Sequence, residues 1–204
     1  MNYDKTIYFV SKNEMKFKEM RELWTNETYH LEPYDETIRE IQDSSMEEIV
    51  KHKAKEAYKS LFRPVLVEHS GLFLLNYGNL PGGLTQVVWN SLTNGGAHPE
   101  SFSNLFAPSG STPAIAQSVL AYCDGKSVKL FVGEVHGAII KDPRGTNGFG
   151  WDCVFQPDSI TPKITFAEMD DSTKREHSMR TLAMDVFMKH LNEITPRRET
   201  YDGR

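Results

Sequence analysis

The sequence predicts an α/β fold in which helices flank a mixed β-sheet. Residues 6–10 are β-branched or aromatic, a polar turn follows at residues 11–13, and helical spacing begins at Met15. A strand, a turn and a helix in this order form the first unit of an α/β fold. Two extended runs, residues 114–122 and 128–140, flank an Asp-Gly pair that is typical of a tight hairpin. Antiparallel strands between helical ends favour a mixed sheet over a purely parallel one.

Capping and helix-breaking residues predict the remaining elements. Ser45 and Glu48 form a capping box that predicts a helix over residues 45–61. Pro64 prevents this helix from continuing, so the apolar residues 65–67 are predicted to form a strand that ends at Glu68. The other predicted elements are an extended segment at 72–77, a helix at 84–92, interruptions at 95–99 and 108–110, a loop at 144–150, and a last helix at 173–194 that begins with a capping box at 173–176.

Length and composition are those of a soluble globular protein. The 204 residues suffice for a sizeable core, and we expect one domain over residues 1–194 followed by a polar tail at 195–204. A net charge of −5 does not support nucleic-acid binding, which normally requires a basic surface. A signal peptide pattern and an apolar stretch of ~20 residues are both absent, so we expect no membrane partner. With only two cysteines, Cys123 and Cys153, a reducing, cytoplasmic setting is the simplest interpretation.

Glu68 and His69 follow directly on the apolar run 65–67. A buried strand that presents polar groups at its end is a common way to build a site in an α/β protein. Carboxylate and imidazole groups both carry protons and bind metal ions. Glu40, just before the capped helix, adds a second carboxylate, and Mg²⁺ prefers a few carboxylates together with phosphate oxygens. The alternative interpretation is a set of solvated acids, and this segment alone favours it.

A candidate anion site lies at the first strand-to-helix turn. Ser11, Asn13 and Lys16 offer a hydroxyl, an amide and a cation beside the backbone N–H groups of a helix start. The alternative is a helix cap with a surface lysine, and these residues alone favour that alternative.

Two later segments combine aromatic and charged side chains. Phe149 lies between two glycines, so its ring could lie against a nucleobase, a contact worth ~1–3 kcal/mol per base. Asp152 could then accept a hydrogen bond from a ring N–H. Lys174 and Arg180 lie at the start of the last helix, where the helix dipole disfavours cations, and phosphate or nucleobase oxygens would explain them. The alternatives are a turn with buried aromatics and a solvated helix face.

Taken together and in this order, these segments resemble the inosine triphosphate pyrophosphatase family, also called the Ham1-type family. The matching motifs are Ser11-x-Asn13-x-x-Lys16-x-x-Glu19, Glu40-Ile41-Gln42 with Lys53, Val67-Glu68-His69-Ser70-Gly71-Leu72 with Leu80-Pro81-Gly82, Gly148-Phe149-Gly150-Trp151-Asp152 with Thr165-Phe166-Ala167-Glu168-Met169, and Lys174 with Ser178-Met179-Arg180. They run from about residue 6 to residue 190, nearly the whole chain. Several spaced motifs in one order are more specific than any single motif.

The resemblance implies an elongated α/β fold, with a long mixed sheet, two lobes around a nucleotide cleft, and a homodimer. It also implies hydrolysis of inosine, deoxyinosine or xanthosine triphosphate to the monophosphate and pyrophosphate. The implied cofactor is Mg²⁺, with Mn²⁺ as an alternative. In such a reaction, a metal ion and lysines offset the phosphate charge while a positioned water attacks in line.

Site roles are carried over from the resemblance position by position. The residues expected at the substrate are Ser11, Asn13, Lys16, Lys53, Ser70, Phe149, Trp151, Asp152, Lys174, Ser178 and Arg180. The residues expected at the metal are Glu40, Glu68 and His69, and the expected catalytic residues are Lys16, Glu68 and His69.

Three positions depart from the pattern of the family. This chain has His69 where the family has Asp, Met179 where it has His, and Arg175 where Asn is usual. An imidazole can act as a general base near neutral pH, but it suits Zn²⁺, Mn²⁺ or Ni²⁺ better than Mg²⁺. Met179 cannot hydrogen-bond usefully to a keto oxygen, so we expect relaxed or changed purine discrimination.

These departures leave competing hypotheses of function. The leading one is a Mg²⁺- or Mn²⁺-dependent nucleoside triphosphate pyrophosphatase with altered metal or base preference. The alternative is a catalytically silent nucleotide-binding homologue, which the loss of the Asp motivates. A third, weaker hypothesis is a dimeric interaction protein that keeps only the scaffold.

Overall fold

The computed structural model describes residues 5–195. The strands are β1 (Thr6–Val10), β2 (His30–Tyr34), β3 (Val65–Leu74), β4 (Pro81–Gly82), β5 (Ser111–Cys123), β6 (Val128–Ile140) and β7 (Phe155–Pro157). The helices are α1 (Glu14–Glu22), α2 (Met46–Leu61), α3 (Thr85–Thr93), α4 (Pro99–Phe106), α5 (Asp171–His177) and α6 (Met179–Ile194).

All seven strands belong to one mixed sheet, in the order β2-β1-β3-β5-β6-β7, with β4 paired to β3. Strand β1 runs parallel to β2 and β3, whereas the pairs β3–β5, β5–β6 and β6–β7 are antiparallel. The predicted α/β fold with a mixed sheet and a central hairpin is therefore confirmed.

Helices cover both faces of the sheet. Side chains alternate between the two faces along a strand, so Leu66 packs toward α6 while Val65 and Val67 pack toward α2. A third apolar cluster includes Trp89 and Phe102 from α3 and α4. It packs against the end of β3, the start of β5 and the end of β6. Within residues 5–195, no helix has both the length and the apolar character needed to span a bilayer.

Helices α1 and α2 begin at the polar residues that the sequence indicates. The Asn13 side chain accepts a hydrogen bond from the N–H of Lys16, and the Ser45 hydroxyl accepts one from the N–H of Glu48. These side chains satisfy backbone donors that have no partner within the helix. Helix α2 ends at Phe62, which has a left-handed conformation, two residues before Pro64.

The prediction that a strand ends at Glu68 is wrong. Strand β3 continues through Glu68 and His69 to Leu74, and β5 pairs with it along its whole length. The antiparallel ladder satisfies the backbone of the polar residues, so the change from apolar to polar side chains does not end the strand. The extended segment predicted at 72–77 is the end of β3 followed by a short 3₁₀ turn at Leu75–Tyr77.

Strand β1 is short and pairs with only the first residues of β3, and this short pairing positions the candidate site. It pairs with β3 only at Tyr8–Val65 and Phe9–Leu66 and ends at Val10. Beyond Leu66, the edge of β3 on this side has no parallel neighbour. The strand-to-helix turn that follows β1 therefore faces the middle of β3 across a gap, which is a common location for ligand sites in open sheets.

The last helix differs from its prediction because it is broken at Ser178. Helix α5 is capped by Asp170, whose carboxylate accepts a hydrogen bond from the N–H of Thr173. Helix α6 is capped by Ser178, whose hydroxyl accepts one from the N–H of Arg180. The capping box predicted at 173–176 is thus wrong, since Thr173 lies inside α5. Of the polar tail predicted at 195–204, Thr195 lies just beyond α6, and residues 196–204 lie outside the described residues.

The sequence patterns did not predict several of the elements, among them β2, α4 and β7. Strand β2 contains Pro33 and lies at the edge of the sheet, where a missing N–H is tolerated. Helix α4 begins at Pro99, which suits the first helical position because that N–H would be unpaired. Strand β7 has only three residues and forms by pairing with β6, which sequence patterns do not reveal.

Gly133 allows α6 to lie directly on the sheet. A Cβ added at this position of β6 would lie 2.1 Å from the carbonyl oxygen of Met179 and 2.4 Å from the backbone nitrogen of Ala183. Both contacts are with backbone atoms, so the helix would have to shift as a unit. The docking of α6, and with it the position of Arg180, depends on this glycine.

We expect Gly133→Ala to lower the free energy of unfolding by about 1–3 kcal/mol, because overpacking displaces α6. Urea denaturation followed by circular dichroism measures the change. Lys129→Ala, at an exposed position of the same strand, is the control and should change stability by about 0.5 kcal/mol or less. Equal stability of the two variants would contradict a close helix–sheet contact at Gly133.

Candidate functional site

The gap between the end of β1 and the middle of β3 forms a cleft of about 430 Å³, a size typical of small-ligand sites. Most residues expected at the substrate or metal line it: Ser11, Asn13, Lys16, Glu40, Lys53, Glu68, His69, Ser70, Phe149, Trp151, Asp152 and Arg180. Lys174 and Ser178 lie in the wall of a smaller adjoining cavity, to which Arg180 also contributes. The fold thus brings together residues from six separate segments of the chain.

Glu68 is a fully buried carboxylate at the floor of the cleft. Its Oε2 lies 2.7 Å from Lys16 Nζ, while its Oε1 lies 3.2 Å from Arg180 Nη2 and accepts a hydrogen bond of 2.9 Å from Ser118 Oγ. Burial by itself raises the pKa of Glu68, but the charges of Lys16 and Arg180 outweigh burial and hold the pKa well below its ordinary value. Glu68 is therefore ionised, and both of its oxygens are occupied by protein groups.

Lys16 lines the cleft close to two other cations, Lys53 and Arg180. Burial lowers its pKa, the charges of Arg180 and Lys53 lower it further, and the pairing with Glu68 offsets only part of this. Each of these three cations is paired with a carboxylate, and together they bring several positive charges close to one another. An anionic ligand would stabilise the charged form of Lys16.

Arg180 connects the two ends of the site. Its side chain is 2 % exposed, its Nη2 pairs with Glu68, and its Nη1 pairs with Glu19. Glu19 Oε1 also pairs with Lys174 Nζ at 3.1 Å. A guanidinium can bridge two carboxylates in this way because its donors form a fixed planar fork.

Asp152 fixes the aromatic turn. Its Oδ2 accepts hydrogen bonds from the N–H of Phe149 at 2.9 Å and from Lys174 Nζ at 2.8 Å. Burial raises the pKa of Asp152, and Lys174 offsets part of that effect. Gly148, with a φ of +76°, is required here, since an added Cβ would lie 2.2 Å from Asp152 Oδ2. Two cations lie over the Phe149 ring, with Lys174 Nζ at 5.1 Å and Arg180 Cζ at 5.7 Å from its centre.

Glu68 and His69 point to opposite faces of the sheet, as consecutive strand residues do. Glu68 faces α1 and α6, whereas His69 faces α2 and the turn before α3. The Nε2 of His69 lies 2.8 Å from the carbonyl oxygen of Gly83, and its Nδ1 lies 3.9 Å from Glu40 Oε2. Burial lowers the pKa of His69, and the charge of Lys16 lowers it further, so the neutral ring is favoured.

Glu40 is held in place by α2. Its Oε1 pairs with Lys53 Nζ at 2.5 Å. Burial alone raises the pKa of Glu40, but Lys53 outweighs it and the pKa is lowered, so the carboxylate is ionised. Its second oxygen, Oε2, faces His69.

No preformed cage for a metal ion is present in the described part of the chain, where no group of three or more His, Cys, Asp or Glu side chains is arranged to hold one. Glu68 is surrounded by cations on the other face of the strand. Glu40 and His69 alone face each other. These two side chains fit a divalent ion only if a ligand supplies further oxygens, as substrate phosphates do in many sites.

Several predicted substrate residues also have structural roles. The Ser11 hydroxyl accepts a hydrogen bond from the N–H of Asn13, which is itself the cap of α1. Trp151 is 9 % exposed and packs edge-on against Phe155 in the core. Ser178 caps α6. Their contact with a substrate stays a prediction.

The sequence assigns no role to three further residues of the site. Glu19 lies three residues after Lys16, which places both on one face of α1, and this spacing is the signal that would identify it. Gln86 and Asn90 are exposed on one face of α3 and line the opposite wall of the cleft. Neutral amides carry no charge pattern, so nothing in the sequence distinguishes them.

Comparison with known proteins identifies the family of this chain. The model of the Ham1 family matches residues 7–190. The chain belongs to the Ham1 family. A Ham1 protein from Coxiella burnetii has a similar structure, with a TM-score of 0.79 and 26 % identity over 92 % of this chain and 98 % of that one.

Relatives of this Ham1 chain include named pyrophosphatases. It is 35 % identical over 189 residues to the dITP/XTP pyrophosphatase of Saccharolobus solfataricus, which covers 93 % of this chain and 95 % of the relative. It is 34 % identical over 190 residues to the inosine triphosphate pyrophosphatase of Yarrowia lipolytica, which covers 92 % and 96 %. The similarity extends over nearly the full length of each protein.

We expect Glu68→Gln to lower the free energy of unfolding by about 3–5 kcal/mol, because it leaves Lys16 and Arg180 without their buried countercharge. Urea denaturation at neutral pH measures the loss. Glu22→Gln is the control, since Glu22 pairs with Arg175 at the surface and should cost at most about 1 kcal/mol. A loss no greater than that of the control would show that the buried pairs contribute little.

The lowered pKa of Glu68 also predicts how stability depends on pH. The ordinary value is 4.5, so the contribution of Glu68 is fully present above that pH and is lost as the pH falls toward the lower pKa of the folded state. Between those values, Glu68 adds up to ~1.4 kcal/mol of stability loss per pH unit. Unfolding measured from pH 5 to pH 3 should therefore show a shallower slope for Glu68→Gln than for Glu22→Gln. Parallel slopes would contradict the lowered pKa.

Proposed function

We propose that this protein hydrolyses non-standard purine nucleoside triphosphates, namely ITP, dITP and XTP, to the nucleoside monophosphate and pyrophosphate. The observation that carries the proposal is one cleft with a cation-rich end at Lys16 and Lys53 and an aromatic end at Phe149. Relatives named dITP/XTP pyrophosphatase and inosine triphosphate pyrophosphatase support the same reaction.

The cation-rich end suits a triphosphate. Lys16 and Lys53 approach from α1 and α2, and the backbone N–H groups at the start of α1 lie beside them. Phosphoryl transfer gains most from positioning and from charges that face the phosphate oxygens. Lys16 and Lys53 are the side chains that we assign to this task.

The aromatic end suits a purine base. The Phe149 ring can stack on a base with little dependence on its identity. Lys174 and Arg180, which lie at this ring, are donors suited to a keto oxygen, and inosine and xanthosine carry keto groups. Asp152 holds Phe149 and Lys174 in place, so we assign it a positioning role.

The Ham1 family is in general dependent on a divalent metal ion. Glu40 and His69 are the side chains that we propose would hold one. When bound, such an ion supplies positive charge to the phosphate oxygens and orients them. Our expectation from the sequence is Mg²⁺, with Mn²⁺ as the alternative.

A catalytically silent nucleotide-binding homologue is the second candidate. The observation that favours it is His69, whose pKa is lowered by burial, at the position where the family it resembles has a carboxylate. This candidate predicts that ITP raises the melting temperature by mass action without being cleaved.

We expect pyrophosphate release from ITP, dITP and XTP to exceed release from ATP and GTP, in a panel assay with Mg²⁺ and with Mn²⁺. Lys53→Met should lower kcat/KM roughly 100-fold, because it removes a charge that faces the phosphates. Lys51→Met is the control, since Lys51 lies on the same helix but pairs with Glu47 and Glu48 at the surface. Absence of release from every nucleotide with either ion would contradict the proposed activity, and stabilisation by ITP would then identify a silent binder.

We expect Phe149→Ala to raise KM for ITP and XTP by a similar factor, roughly 5- to 150-fold, because stacking contributes ~1–3 kcal/mol whatever the base. Steady-state kinetics on both nucleotides measures this. Phe62→Ala, at a residue that is 74 % exposed, is the control. Unchanged KM values would exclude Phe149 from base binding.

We also infer a cytoplasmic homodimer. The homodimer rests on the resemblance to the family, and the location rests on the scarcity of cysteine. Cys123 and Cys153 are both free, in agreement with a reducing setting. Sedimentation equilibrium distinguishes a 23.3 kDa monomer from a dimer of twice that mass.

A further inference from the structure

The ring of His69 has a fixed orientation with one nitrogen free. A carbonyl oxygen can only accept, so the contact of 2.8 Å between Nε2 and Gly83 places the ring proton on Nε2. The other nitrogen, Nδ1, then carries a lone pair. A histidine that binds a metal ion commonly donates its second N–H to a backbone carbonyl in this manner.

Glu40 presents one free carboxylate oxygen to that lone pair. Lys53 binds Oε1 and fixes the plane of the carboxylate, while Oε2 lies 3.9 Å from His69 Nδ1. This separation is too long for a hydrogen bond. A lone pair and a carboxylate oxygen that face each other are two electron donors with no proton between them, and a cation would relieve their repulsion.

The separation is also short enough for both atoms to reach one shared ion. Ligand atoms of a transition-metal ion lie roughly 2.0–2.2 Å from it, so two of them can be at most about 4.4 Å apart. Glu68 is not a third ligand, because Lys16 and Arg180 hold its carboxylate on the opposite face of the strand. Two protein atoms leave the rest of the coordination shell to nucleotide oxygens and water.

We propose that Glu40 Oε2 and His69 Nδ1 hold one divalent ion of the imidazole-binding class, and that the site selects Mn²⁺ or Co²⁺ over Mg²⁺. Mg²⁺ prefers oxygen ligands throughout, whereas a site with one imidazole nitrogen and oxygen ligands binds first-row transition-metal ions, with an affinity that rises from Mn²⁺ to Co²⁺. The proposal rests on the proposed function, since the triphosphate completes the shell. Lys16 and Lys53 oppose a cation until the negative phosphates arrive, so ion and nucleotide bind together.

Electron spin echo envelope modulation of bound Mn²⁺ tests this directly, because it detects a nitrogen nucleus in the first coordination shell. The protein is loaded with Mn²⁺ and α,β-methylene-ITP, which cannot be cleaved between its α and β phosphorus atoms. We expect both ¹⁴N coupling from His69 and ³¹P coupling from the nucleotide. We also expect Mg²⁺ to displace Mn²⁺ only at a large excess.

Three variants assign the nitrogen signal. His69→Gln can still donate an N–H to Gly83 but should abolish the ¹⁴N coupling, and His69→Asp should abolish it and let Mg²⁺ compete at least tenfold better. Glu40→Gln should weaken Mn²⁺ binding roughly tenfold or more, since even residues behind the ligands cost that much. His98→Gln is the matched control, because His98 faces Glu100 at 3.3 Å on the surface and should leave the spectrum unchanged. Melting curves confirm that each variant is folded.

The possible results separate this proposal from the proposed function. A ³¹P coupling without ¹⁴N coupling, or a ¹⁴N coupling that survives in His69→Gln, overturns the metal proposal and leaves the nucleotide site intact. Both couplings in a protein that releases no pyrophosphate support the metal site and contradict the activity. Absence of both couplings overturns the metal proposal, while the proposed function is decided separately by the pyrophosphate-release assay.

Discussion

The buried carboxylate of Glu68 is the interaction on which the rest of the site depends. It lies in the middle of a strand that is covered on both faces, and it is ionised only because Lys16, Arg180 and Ser118 surround it. Each partner comes from a different element, so the carboxylate ties α1, α6 and β5 to β3. Loss of this charge would leave two buried cations unpaired, which is far more costly than loss of a surface pair.

From Glu68, a chain of charges runs to the aromatic end of the cleft. Arg180 links Glu68 to Glu19, and Glu19 links Arg180 to Lys174 beside Phe149. Charged side chains that bind one another in this way are fixed before a ligand arrives, which favours binding because less ordering is required. The same network lets these cations lie close together, because each of them is paired with a carboxylate.

His69 and Glu40 form a second, separate unit on the other face of β3. The alternation of side chains along a strand separates them from Glu68, although Glu68 and His69 are adjacent in the sequence. Imidazole and carboxylate groups favour different metal ions, so the metal preference that we propose for this unit depends on His69. The chemistry of the cleft therefore depends on which face of the strand each residue occupies.

The sequence by itself determined the first strand–turn–helix unit, the helix starts at Asn13 and Ser45, the hairpin, and most of the residues that line the cleft. These follow from local spacing and from motifs, which a single chain displays. Only the tertiary structure decided that β3 continues through Glu68, that α5 and α6 are separate, and that Glu19 pairs with Arg180 and Lys174. Those features depend on partners distant in the chain, namely β5, Asp170 and Arg180, because a ladder, a cap or a countercharge overrides the local pattern.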